Sequence, residues 1–128
     1  MNLFIFLLTL PAIVYSQGNT VLGTWRGTSV CQVKDSPCNN ETVVYYITST
    51  DKSNVFKLKA NKIVNNTEVE MGELEFLYND AAKTLTCQRD DRLHSPWEFK
   101  IDGQSMHGTL MINAMTLFRV IDVSKDSR

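Results

Sequence analysis

Few side chains in this 128-residue chain are suited to covalent or metal chemistry: three cysteines, Cys31, Cys38 and Cys87, and two histidines, His94 and His107. Their spacings match no zinc-ligand pattern, and both histidines fall in exposed strand or loop contexts. Cys31 and Cys38 bracket the turn-rich stretch "QVKDSP". Residues facing each other across a hairpin mouth reach the separation a disulfide requires, so Cys31 with Cys38 is the expected pair, leaving Cys87 odd. A bridge to Cys87 is the alternative. Cys87 shares a strand face with Leu85, which fits an inert buried thiol better than a thiol–imidazole couple with His94. The run "RDDR", Arg89 to Arg92, offers adjacent carboxylates without further spaced oxygens and reads as a solvated loop, not a calcium site. "GQSMHG", Gly103 to Gly108, is one residue too long for a nucleophile elbow and reads as a hairpin turn. The six glycines are dispersed singly, so none forms a phosphate-cradling loop. No catalytic residue, metal or cofactor is assigned, and the chain reads as a non-enzyme.

The elements that carry these residues follow from period-two alternation. In "VFKLKANK", Phe56, Leu58 and Ala60 alternate with Lys57, Lys59 and Asn61. "GELEFLY", "PWEFKID" and "SMHGTLMI" repeat the pattern, and no stretch of comparable length has helical spacing. Asn, Asp, Gly and Pro clusters interrupt the runs at short intervals and supply the conformations tight reversals need. Eight strands are expected, over 22–34, 41–50, 54–64, 67–78, 83–90, 96–102, 105–112 and 116–124. Connections this short join antiparallel neighbours, and closure removes both exposed edges of such a meander. The expected fold is therefore all-β, an eight-stranded antiparallel up-and-down barrel, with a two-sheet sandwich as the second architecture.

Residues 1–16 read as a secretory signal peptide: Leu3 to Val14 is apolar but for Thr9 and Pro11, and the bond before Gln17 follows the small Ser16. A buried N-terminal strand is the alternative reading. Residues 17–128 then form one domain of modest core, expected to be secreted or periplasmic. The net charge of −1 gives no basic stripe for nucleic acid, and no later apolar run is long enough for a membrane span. Asn40-Glu-Thr and Asn65-Asn-Thr are glycosylation sequons placed in predicted turns.

"LGTWRGTSVC" opens the first strand with a large indole, Trp25, between Gly23 and Gly27. Such a residue suits the plug of a barrel end, and the glycines permit a sharp turn-in and close backbone approach. The last strand, "TLFRVIDV", holds Arg119. First and last strands are neighbours in a closed barrel, so Arg119 is expected over the face of Trp25 in a cation–π contact of about 0.5 to 2 kcal/mol. Gly23-Thr24-Trp25, eight strand-like runs and a last-strand Arg119 together resemble the calycin superfamily, in particular lipocalin-like domains. The resemblance implies a barrel whose interior takes a small hydrophobic molecule.

Inward candidates for such a ligand site are Phe56, Leu58, Val69, Met71, Phe76, Tyr78, Trp97, Phe99, Met106 and Leu110, with Tyr45 or Tyr46 as a polar handle. Alternatively these residues fill a ligand-free core, and the loops at the mouth, "KDSPCNN" and "DDRLHSP", engage a protein partner.

Overall fold

The alternating runs become eight strands in a computed structural model that describes residues 20–87, 96–113 and 115–126. They are β1 (Gly23–Cys31), β2 (Glu41–Ser49), β3 (Val55–Val64), β4 (Thr67–Asn79), β5 (Thr84–Cys87), β6 (Trp97–Asp102), β7 (Ser105–Ile112) and β8 (Thr116–Lys125). Each pairs antiparallel with the next, and β1 pairs with β8, so the sheet is a closed barrel in sequence order. Several reversals place residues at positive φ: Asn65 and Asn66 (51° and 63°) form the two-residue β3–β4 turn, and Asn54, Lys83, Gly103 and Asn113 lie in the β2–β3, β4–β5, β6–β7 and β7–β8 connections. The expected leader, residues 1–16, lies outside the described residues, as do Arg89 to Arg92 and His94.

Alternation holds along most of the wall. Trp25, Val43, Tyr45, Ile47, Phe56, Leu58, Phe76, Tyr78, Leu85, Phe99, Met106, Ile121 and Val123 form one buried interior cluster. Lys57, Lys59, Glu73 and Glu75 lie outside, where Lys57 pairs with Glu73 at 3.2 Å. The seam between β1 and β8 depends on Gly27, because a Cβ there would fall on the backbone of Asp122 and Val123.

The end of β1 and the pairing of β4 depart from expectation. β1 ends at Cys31, not residue 34, because the disulfide loop begins there. β5 is described only to Cys87, and the rest of its expected span lies outside the described residues. In β4, Ala60 pairs with Gly72 but Asn61 with Glu70, which leaves Met71 as an extra residue in a bulge. Within the described residues β4 pairs with β5 only over Leu77–Asn79, so its first half runs past the short strand. Val69 and Met71, expected to point into the core, are therefore each 41% exposed.

Candidate functional site

The two ends of the barrel differ in construction. Connections β2–β3, β4–β5 and β6–β7 share one end with the outer termini of β1 and β8. Trp25 lies there, fully buried, with its Nε1 donating to the Val21 carbonyl at 3.0 Å. Its cationic neighbour is Lys125, whose Nζ stands 5.7 Å from the ring centroid and donates to the Thr20 carbonyl at 2.9 Å. Arg26 and Asp126, 3.0 Å apart, add a second link across the same seam, and the Asp126 N–H donates to the Thr24 carbonyl at 2.7 Å. Gly23, at φ 133°, begins β1 against the Lys125 side chain.

The expected contact between Arg119 and Trp25 is not formed. Trp25 is registered against Lys125 and Arg119 against Cys31, so the two lie six pairs apart along the β1–β8 seam, or about 20 Å at the rise of a strand. Closure of the sheet does bring the first and last strands together. The shear of that closure, which alternation does not encode, decides which cation reaches the indole.

Arg119 belongs to the opposite end, where the β1–β2 loop and the β3–β4 and β7–β8 turns gather. Only 9% exposed, it shares its inward parity with Ile121 and Val123. Its Nη1 donates to Ser29 Oγ (3.1 Å), the Ser29 carbonyl (3.4 Å) and the Asn39 carbonyl (3.1 Å), and its Nη2 to Glu41 Oε1 (3.4 Å). One guanidinium thus joins β8, β1, the 32–40 loop and the start of β2. The loop is also closed by the Cys31–Cys38 disulfide, with Cα atoms 5.9 Å apart, and by the Cys31 N–H donating to Asn40 Oδ1 at 2.9 Å. Cys87 is buried and lies outside that disulfide.

Beside this cluster the interior is not filled. A cavity of about 210 Å³ is walled by Tyr45, Leu58, Ala60, Leu74, Trp97, Leu110 and Ile121, with Ser29, Glu41 and Arg119 on its polar side and Met71, Gly72 and Glu73 from the overhanging part of β4. Of the ligand candidates, Tyr45, Leu58, Met71, Trp97 and Leu110 meet here. Phe56, Phe76, Tyr78, Phe99 and Met106 instead pack solidly toward the Trp25 end, every one of them at most 7% exposed. Edge-to-face contacts of Tyr45 with Trp97 (6.0 Å) and Phe99 (5.8 Å), and of Phe76 with Trp97 (5.4 Å), form the floor between the two halves. Val69 lies outside the cavity lining, and Tyr46 faces outward, donating to Glu68 Oε1 at 2.6 Å. That bond, helped by Asn61, holds the Glu68 carboxyl below its ordinary range.

Burial pushes the Tyr45 phenol well above the ordinary tyrosine range; the Glu41 carboxylate adds to the rise and Arg119 opposes it. Trp97 Nε1 is buried and has no hydrogen-bond partner among the described residues. Ser29, Glu41 and Ile121 join the lining unexpectedly, as do Ala60 and Leu74, whose alternation marks an apolar face without marking a ligand contact. Strand parity could have found the first three: Ser29 is in phase with Trp25, Glu41 with Val43 and Tyr45, and Ile121 with Arg119. Around the same mouth Val64, Met115 and Leu117 leave 42%, 88% and 37% of their surface exposed.

The arrangement is a meander barrel solid at one end and hollow at the other. Among the described residues no group of three or more His, Cys, Asp or Glu converges as metal ligands, and no helix is long and apolar enough to cross a membrane. No family model matches the chain, and no curated protein does.

Proposed function

We propose that this protein is a lipocalin-like carrier that holds a small apolar molecule in the loop-end half of its barrel. The observation that carries the reading is the cavity of about 210 Å³ with a mainly aliphatic and aromatic wall, directly above a close-packed floor. A void left by poor packing would be unfavourable, since each lost contact and each unit of cavity volume weakens a core. An apolar cavity of about 150 Å³ takes benzene or xenon, so the space here suits one ring with a short substituent. The Cys31–Cys38 bridge supports residence in an oxidising compartment, in keeping with export directed by residues 1–16.

Titration with toluene, followed by the methyl resonances of the barrel, tests the proposal. Leu58, Leu110 and Ile121 are expected to shift saturably, with Val123 and Met106 at the packed end little changed. Shifts spread evenly over the surface, or none at all, would contradict it.

A further inference from the structure

Resting on that carrier reading, we infer that the cavity selects a neutral, single-ring molecule bearing a hydrogen-bond acceptor, and that Trp97 Nε1 is the donor that reads it. Every formal charge at the cavity is already answered by the protein. Arg119 is engaged by Glu41, by the Ser29 hydroxyl and by two backbone carbonyls. Glu73, on the β4 side, is paired with Lys57 at 3.2 Å. An anionic ligand would meet the Glu41 carboxylate and a guanidinium already in use, while a cationic one would displace or oppose Arg119. Either would lose its hydration for little return. Tyr45 remains an uncharged phenol, so it adds no charge for a ligand to answer.

The unanswered group is a donor. Trp97 begins β6, opposite Leu110 on β7 and Cys87 on β5, and its indole forms part of the cavity wall. Its N–H is buried with no partner among the described residues, whereas the other indole in the barrel, Trp25, donates to a carbonyl. Buried indole N–H groups usually find an acceptor, and a carbonyl or ether oxygen on a bound ring would supply it. Size sets the remaining limit: about 210 Å³ admits a substituted benzene and excludes a long acyl chain.

Calorimetric titration of the full chain with toluene, acetophenone, benzoate and benzylamine tests the inference. Acetophenone is expected to bind about five- to tenfold more tightly than toluene, the worth of one net hydrogen bond, with both charged probes weaker than toluene. In Trp97→Phe the ratio of acetophenone to toluene affinity falls to near one. Independently of that variant's folding, the Trp97 indole proton of the wild-type protein moves downfield with acetophenone and not with toluene. Equal affinities of toluene and acetophenone, or an indole proton unmoved by the ketone, would overturn the role of Trp97. Tightest binding of benzoate or benzylamine would overturn the neutrality of the site. Failure of all four probes to bind would remove the carrier reading itself, a result distinct from a wrong order among probes that do bind.

Discussion

Arg119 is the residue on which most of the loop end depends. A guanidinium turned into a barrel loses much of its hydration, and here four acceptors compensate. Removing it strands Glu41, whose side chain keeps only 19% of its exposure. Arg119→Met should therefore cost about 3 kcal/mol in urea unfolding, and Arg119→Met with Glu41→Met should cost less than the single change, because no unpaired carboxylate remains. Tyr45 makes the complementary case for a neutral group. Its folded-state pKa is raised, so its contribution to stability is complete below the unfolded value of about 10 and is lost as pH rises beyond it. Absorbance titration should show one tyrosine ionising only with alkaline unfolding, and Tyr45→Phe should flatten the fall in stability above that pH. At this scale Tyr45, Leu58, Trp97 and Leu110 were legible as inward side chains because parity is local. The partner of Trp25 was not, since any cation on β8 satisfies the same local pattern.

Among the elements, the β1–β8 seam and the β1–β2 loop determine the shape of the mouth. Gly27 lets β1 approach β8, and Gly27→Ala should lower stability by about 2 kcal/mol or more by forcing the strands apart. The Cys31–Cys38 bridge closes a loop of sequence separation 7 that Arg119 also holds through Asn39. Replacing both cysteines by serine should cost about 2 to 3 kcal/mol by the chain-entropy argument and should broaden the amide resonances of residues 32–40. On the outer wall, Tyr46 and Asn61 both donate to Glu68 and depress its pKa. That stabilisation is present above the ordinary glutamate pKa and is lost as pH falls through the depressed value. Carboxyl NMR titration should place Glu68 below the ordinary glutamate range and return it toward that range in Tyr46→Phe. Strand number and most turns could be read in advance, because Asn, Asp and Gly adopt the φ values of reversals more readily than other residues; Lys83 at φ 57° is an exception. The β4 bulge could not, for it arises from pairing between strands; this is why Val69 and Met71 were placed inside and are found exposed.

Across the whole molecule, the inward side chains are packed at one end and surround a cavity at the other. Phe56, Phe76, Tyr78, Phe99 and Met106 form a solid core around the Trp25 end, while Tyr45, Leu58, Trp97 and Leu110 wall a cavity. Alternation placed both sets on one face of the sheet but carries no information on depth along the barrel axis, which register and shear determine. The closed meander was legible because short connections restrict topology to neighbours. The hollow half was not, because strand parity does not tell a filled interior from an empty one.

A crystal structure under xenon pressure shows whether the loop-end cavity admits an apolar atom. A xenon atom is expected against Leu58, Leu110 and Ile121, with none beside Trp25. A loop-end interior closed by side chains and free of xenon, or xenon confined to the Trp25 end, would contradict that expectation.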